Sequence, residues 1–128
     1  MTNTPKLPVT QAQDGPLSIN RVCDPSTPLI ESVGSLSLSG PSGVVYSASS
    51  EQLRCNLAVL ESGEVMGSHV NDEVDVLIIG MSGTGQLTID GAESTLATDV
   101  LALIPRGCER QITATSRLTY LSVHARRD

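Results

Sequence analysis

One stretch of eight residues constrains the fold of this chain more than any other. Residues 74–81 are apolar at every position except Asp75 and Gly80. A strand of this composition needs cover on both of its faces, and a closed or double-layered sheet supplies that cover. The stretch is much shorter than the roughly 20 residues that a membrane-spanning helix needs. It therefore predicts a buried strand in a layered or closed sheet.

The remainder of the chain from Gly34 onward has the texture of an all-β protein. Short apolar runs are separated by Gly, Ser, Asn or Asp, and the core residues are aliphatic, because Phe and Trp are absent. The pair Asp90-Gly91 follows an alternating run and predicts a tight hairpin turn. The predicted strands are 35–38, 44–47, 52–60, 65–70, 74–81, 85–90, 93–97, 100–104, 110–115 and 118–124.

The first 33 residues differ from the rest and predict an N-terminal arm. Prolines interrupt this segment repeatedly, and its apolar runs are brief. We expect the arm to be poorly ordered or to pair with a sheet edge of a neighbouring protomer, with at most a helical turn at 29–33. Residues 34–128 then form one domain, a size compatible with a single core.

Charge and cysteine content exclude several classes of function. The formal charge is −6 and Lys6 is the only lysine, which disfavours nucleic-acid binding. The three cysteines, Cys23, Cys55 and Cys108, form no CxxC pair and suit neither a disulfide framework nor a zinc knuckle. The first 14 residues lack the apolar stretch of a signal peptide. We therefore expect a soluble, cytoplasmic protein with no membrane partner.

The central segment carries a resemblance to a known family. Gly63 is followed by His69, then by Asn71 and Asp75, with a glycine turn at Gly83 or 85. This resembles the first cupin motif, in which a glycine precedes His-x-His, a Glu and a glycine turn. Asn71 stands where the second His is expected, and Asp75 stands where the Glu is expected.

A second segment, at residues 99–110, resembles the second cupin motif. Asp99, Pro105 and Gly107 keep the spacing of that motif, but Arg110 occupies the position of its histidine. The two motifs span residues 63–110, and the strand pattern extends the likeness to about 34–124. The resemblance implies a cupin-type antiparallel β-barrel, also described as a jelly roll or double-stranded β-helix. It also implies pairing of the sheets in a homodimer.

The resemblance implies a metal site in which three His and one Glu hold a divalent ion. The departures from the motifs affect this site. The chain has only two histidines, His69 and His124. The neutral amide of Asn71 is a poor ligand, and the permanent cation of Arg110 would repel an ion. The sequence therefore predicts no functional metal site and no cofactor.

The same positions suit a polar ligand site instead. On one continuous strand His69, Asn71, Glu73 and Asp75 would share a face, and Arg110 would lie on the opposite wall. Such a polar strip fits a small acidic or hydroxylated ligand, with Arg110 gripping a carboxylate. The alternative is a structural salt bridge from Arg110 to Asp75 or Glu73 with no ligand.

Three residues of the chain could act as reactive groups. His69 could act as a general base, as in the metal-free sugar epimerases of this barrel type, which also need a second acid such as Tyr120. The pattern of the last strand, however, predicts that Tyr120 and His124 face outward. Cys108 has Arg106 and Arg110 nearby, which could lower its pKa, but an ordinary free thiol is the simpler interpretation.

Three hypotheses of function follow from these residues. The first is a metal-independent cupin that binds a small polar acid or sugar-like molecule inside the barrel. The second is a metal-dependent oxygenase, isomerase or lyase with a divergent site made of His69, Asn71 and Asp75. The third is a structural partner protein. Whether the chain is an enzyme stays open at this point.

Overall fold

A computed structural model describes residues 18–37 and 40–126 of the chain. Within these residues the chain forms ten strands and one 3₁₀ helix. The elements, in chain order, are β1 Ile19–Val22, the 3₁₀ helix Gly34–Ser37, β2 Gly43–Ser49, β3 Leu53–Leu60, β4 Val65–Val70, β5 Val76–Ser82, β6 Thr84–Ile89, β7 Ala92–Ala97, β8 Leu101–Ile104, β9 Glu109–Ala114 and β10 Leu118–Ala125.

The strands form two sheets that face each other. The larger sheet has the order β1-β2-β3-β10-β5-β8, and the smaller has the order β4-β9-β6-β7. The β1–β2 pair is parallel, and the other pairs are antiparallel. One apolar cluster lies between the sheets and takes residues from both, for example Ile78 from β5 and Ile112 from β9. This inner cluster closes the two sheets into a barrel.

The strand β5 has apolar neighbours on both faces, as its composition predicts. Val76 and Ile78 are buried in the inner cluster, while Met81 packs against a second cluster on the outer face of the larger sheet. Val33 and Leu36, which precede β2, pack against the same outer cluster. The segment before β2 therefore covers part of the outer face.

Nine of the ten predicted strands have a counterpart in β2 to β10, and the strand predicted at 35–38 is wrong. Residues 34–37 form the 3₁₀ helix, in which the Leu36 N–H donates to the Val33 carbonyl at 3.1 Å. This tight turn lets both side chains reach the outer cluster, which an extended strand would not allow. The helical turn expected at 29–33 therefore forms slightly later in the chain. Residue 38 lies outside the described residues.

The N-terminal segment pairs within its own chain where it is described. Ile19 to Val22 run parallel to residues 46–49 of β2, so these residues form an edge strand of the larger sheet. Residues 1–17 lie outside the described residues, and the arm expected there stays a prediction.

The outer face of β8 presents two exposed leucines. Leu101 and Leu103 are 60 % and 65 % exposed, and their strand pairs with β5 along its other edge. The homodimer that the cupin resemblance implies stays a prediction. Among residues 18–37 and 40–126, no helix is long and apolar enough to span a membrane.

Gly80 lies where the connection between β7 and β8 crosses β5. Its N–H donates to the Val100 carbonyl at 2.8 Å, and its carbonyl accepts the Asp99 N–H at 2.9 Å. A Cβ atom at this position would lie 1.9 Å from the Ala97 carbonyl oxygen. Because the obstacle is backbone, only a glycine fits there.

We expect Gly80→Ala to destabilise the protein by about 3 kcal/mol, because the crossing backbone must move to admit a methyl group. The matched control is Gly67→Ala, where a Cβ would meet no atom within 4 Å. That control should change the free energy of unfolding by no more than about 0.5 kcal/mol. Urea denaturation of the two variants measures the difference, and equal stabilities would contradict the assignment of Gly80.

Candidate functional site

A bulge in the pairing of β4 with β9 decides which side chains enter the barrel. Met66 lies opposite Ile112, and the following pair is His69 with Arg110. The strand β4 thus advances three residues while β9 advances two. Because side chains alternate along a strand, the extra residue turns His69 to the inward face that Met66 occupies. His69 and Arg110 therefore lie side by side on the inner wall of the smaller sheet.

Arg110 is the buried charged residue of this wall. It is 9 % exposed. The next residues on the same face of β9 are Ile112 and Ala114, which belong to the inner cluster. His69, opposite Arg110, is half-buried. Both residues line the barrel, but the prediction that Arg110 lies on the wall opposite His69 is wrong, because the two residues are paired on neighbouring strands of one sheet. Their role in ligand binding stays a prediction.

The predicted polar strip at 69–75 is wrong, because β4 ends at Val70 and β5 begins at Val76. Residues 71–75 form a loop, and the strand periodicity on which the strip depended does not apply there. The Asn71 Oδ1 accepts the N–H groups of Glu73 and Val74 at 3.0 and 3.1 Å. Glu73 and Asp75 are exposed. Asn71 therefore shapes a turn of the kind that Asn favours.

This loop is tied to the turn that precedes β9. The Gly107 N–H donates to the Asn71 carbonyl at 2.8 Å, and the Arg106 N–H donates to the Asp75 Oδ1 at 2.9 Å. The first bond connects the end of β4, which carries His69, to the turn before β9, which carries Arg110. The second connects the start of β5 to the same turn. Asn71 and Asp75 thus hold the two inward residues in position from outside the barrel.

Tyr120 is the inward residue that the sequence analysis missed. We expected it and His124 to face outward, but Tyr120 is 1 % exposed and belongs to the inner cluster. His124 pairs with the inward Val76 and lies on the same face of β10, so the outward prediction is wrong for both. Its hydroxyl donates to the Met66 Sδ at 3.7 Å. Both faces of β10 are covered, since Leu121 packs against the outer cluster. Because both faces are covered, alternation alone could not show which face is inward. Tyr120 lies two residues from the apolar Leu118 and so shares its face, which was a usable signal.

The Tyr120 hydroxyl is held in its protonated form. Burial raises its pKa well above the usual value for tyrosine, and the positive charge of Arg110 opposes this effect. The hydroxyl is therefore a hydrogen-bond donor throughout the physiological pH range. Its electrostatic interaction with Arg110 also places the two groups in the same part of the barrel.

The metal site that the cupin resemblance implies does not fit these residues. Asn71 Oδ1 is occupied by two backbone N–H groups, and Asp75 Oδ1 accepts a third. Arg110 places a permanent cation where the motif has a histidine. Across the part of the chain that the structure describes, no group of three or more His, Cys, Asp and Glu side chains is arranged to hold an ion.

The surroundings of Cys108 disfavour its thiolate. A hydrogen bond to Asp90, together with burial and the charges of Asp90 and Asp75, raises its pKa. This direction is opposite to the one that nearby arginines would cause, and it favours an ordinary free thiol. The thiolate is the nucleophilic form, so Cys108 adds no nucleophile to the site. Its side chain packs against the inner cluster.

No family profile and no curated protein sequence matches the chain, but many solved structures do. A Bacillus halodurans protein shares 16 % identity, covering 79 % of this chain and 83 % of its own, with a TM-score of 0.67. A cupin-2 domain protein from Shewanella frigidimarina shares 22 % identity, covering 70 % and 87 %, with a TM-score of 0.58. A cupin-superfamily sugar phosphate isomerase from Silicibacter pomeroyi shares 24 % identity, covering 60 % and 52 %, with a TM-score of 0.55. These likenesses confirm the fold predicted from the sequence.

The donor set leads us to expect that the dialysed protein carries far less than one divalent metal ion per chain. Elemental analysis of untagged protein measures the metal directly. Addition of Mn²⁺, Ni²⁺ or Zn²⁺ should leave the melting temperature unchanged, because the side-chain oxygens are already engaged. Near-stoichiometric metal that is lost in His69→Ala would contradict this account.

The two tyrosines should make the protein sensitive to alkali. Burial, a hydrogen bond to Glu31 and the charge of that carboxylate raise the pKa of Tyr46 to about 12, and the pKa of Tyr120 is also raised. In the unfolded chain both ionise near pH 10. The stability that these shifts confer is complete below about pH 10 and is lost as the pH rises further; the share that Tyr46 contributes is lost between about pH 10 and 12.

Tyrosinate absorbance reads only these two residues, because the chain has two tyrosines, and the absence of tryptophan lowers the background. The absorbance should rise together with the loss of circular dichroism. In Tyr46→Phe the remaining signal belongs to Tyr120 and should appear only on unfolding. A midpoint near pH 10 in protein that is still folded would refute the prediction.

Proposed function

We propose that this protein, which has the cupin fold, binds a small polar acid or sugar-like acid inside its barrel without using a metal ion. One observation carries the proposal: the guanidinium-bearing Arg110 is almost fully buried on the inner wall, where cupin motifs have a metal-binding histidine. The guanidinium of Arg110 would then supply the positive charge that a metal ion supplies inside a typical cupin.

Arg110 suits a carboxylate ligand for two physical reasons. Its planar fork matches the two carboxylate oxygens and can form two parallel hydrogen bonds. The aliphatic side chains around it also lower the local dielectric constant, which strengthens the attraction between opposite charges. A small acid that enters the barrel therefore meets a fixed partner.

His69 supplies a second polar contact beside the first. Directly opposed residues on neighbouring strands have Cβ atoms about 5 Å apart, so one small ligand can touch His69 and Arg110 together. The imidazole can donate or accept a hydrogen bond. Because it is half-buried, it lies closer to the solvent than Arg110 and suits a polar substituent of the ligand.

The anionic ligand accords with what is known of one structural neighbour. The Silicibacter pomeroyi protein is described as a sugar phosphate isomerase, and sugar phosphates are anionic. At 24 % identity this likeness concerns the fold. What it adds to the proposal is the anionic character of the ligand.

The metal-dependent alternative receives less support from the contacts. It requires Asn71 and Asp75 as ligands, yet their side chains accept backbone N–H groups of the loop at 71–75 and of Arg106. To coordinate an ion through these oxygens, Asn71 would have to give up bonds within its own loop, and Asp75 would have to give up its bond to the turn before β9. The proposed binding function needs no such rearrangement.

The test compares Arg110→Gln with Arg106→Gln. A panel of small mono- and dicarboxylic acids and sugar acids is screened by thermal shift, and the strongest ligand is titrated by calorimetry. Loss of a charged hydrogen bond costs about 1.5–3 kcal/mol, so Arg110→Gln should weaken binding by about 10- to 100-fold. Arg106 is exposed in the turn, and its variant should bind as the wild type does.

Two results would overturn the proposal. One is the absence of any acid that stabilises the protein, and the other is undiminished binding by Arg110→Gln. The purely structural role of Arg110, in a salt bridge to Glu73, predicts that Arg110→Gln lowers the melting temperature while no acid binds. That pattern separates the structural role from ligand binding.

A further inference from the structure

We propose that Tyr120 is the second anchor of the ligand, so that the barrel selects 2-hydroxy or 2-oxo acids over the corresponding simple acids. Arg110 holds the carboxylate, and the Tyr120 hydroxyl donates to the oxygen on the neighbouring carbon. The inference rests on the proposed acid-binding function and assigns it a substrate class.

The first step is the position of the hydroxyl relative to Arg110. Tyr120 extends from β10 of the larger sheet, and its hydroxyl lies 3.7 Å from the Met66 Sδ on the smaller sheet. Met66 is opposite Ile112, and Arg110 is two residues from Ile112 on the same face of β9. Residues two apart on a strand are separated by about 6.5 Å. The hydroxyl therefore lies about one row of side chains from Arg110.

The second step is the quality of the present hydrogen bond. A thioether sulfur is a weak acceptor, whereas a buried tyrosine hydroxyl usually has a strong one. A ligand oxygen would give the Tyr120 hydroxyl a better partner than the Met66 sulfur. The unbranched side chain of methionine adapts readily to a new neighbour, so Met66 can yield this place without disturbing the core.

The third step is the spacing that the two donors impose on the ligand. Successive inward rows of side chains are about 6.5 Å apart along a strand, and two hydrogen bonds of about 2.8 Å each from donors in neighbouring rows would bring their acceptors close together. The carboxylate and the 2-oxygen of a hydroxy or oxo acid have this spacing. A more distant hydroxyl on the ligand would overshoot the Tyr120 hydroxyl.

The fourth step concerns the protonation of Tyr120. Because burial keeps the hydroxyl protonated, it donates to the ligand and does not need to accept from it. A carbonyl oxygen and a hydroxyl oxygen can both accept such a bond. The site therefore does not distinguish strongly between a 2-oxo acid and its 2-hydroxy counterpart.

The experiment uses two matched pairs of acids that differ only in the 2-hydroxyl group: lactate with propionate, and mandelate with phenylacetate. Ligand-observed NMR titration measures the dissociation constants for the wild-type chain. We expect at least one hydroxy acid to bind about tenfold more tightly than its partner, the effect of one hydrogen bond. Pyruvate should bind within a few-fold of lactate.

Tyr120→Phe should abolish this preference, since it removes only the hydroxyl group. Tyr46→Phe is the matched control, because Tyr46 belongs to the outer cluster, and it should keep the preference. Circular dichroism and melting curves establish that both variants are folded.

The outcomes distinguish this inference from the proposed function. If all the acids bind equally and Arg110→Gln weakens them all, the inference fails and acid binding stands. If the hydroxy acids are preferred and Tyr120→Phe retains the preference, the assignment of Tyr120 is overturned. If none of the acids binds, the inference is refuted at its foundation.

Discussion

The closure of two sheets on one apolar cluster is the constraint on which the rest of this structure depends. The inner faces of the larger and smaller sheets supply the cluster jointly, so neither sheet can bury its apolar side chains without the other. Burial of a polar group inside such a barrel costs free energy unless the group has a hydrogen-bond or charge partner. The location of each inward polar group, above all Arg110 and Tyr120, is therefore the informative feature of the interior.

The departures from the cupin motifs have one common physical consequence. Asn71 and Asp75 occupy positions where metal ligands are expected, and their oxygens instead accept backbone N–H groups outside the barrel. The loop and the turn that they join carry His69 and Arg110 at their ends. Asn71 and Asp75 therefore do not gather donor atoms around an ion. They hold the loop and the turn that position the imidazole of His69 and the guanidinium of Arg110.

The inner wall and the hydroxyl that faces it are rich in hydrogen-bond donors. The guanidinium of Arg110 has only N–H groups to offer, and the raised pKa of Tyr120 keeps its hydroxyl protonated. Burial strengthens the guanidinium as an electrostatic partner and keeps the phenol from ionising, because a low dielectric disfavours a negative charge on oxygen. Both effects favour a ligand that accepts hydrogen bonds, and a small acid is the simplest molecule of that kind.

The fold class and nine of the strands follow from the sequence, because aliphatic runs, turn residues and motif spacing are local signals. The Asp90-Gly91 turn is an example, with positive φ at both residues. The loop at 71–75, the bulge that turns His69 inward and the inward face of Tyr120 depend on contacts between distant parts of the chain. A strand covered on both sides shows no alternation that tells inside from outside, and a loop becomes visible only when the contacts that hold it, here to Arg106 and Gly107, are known.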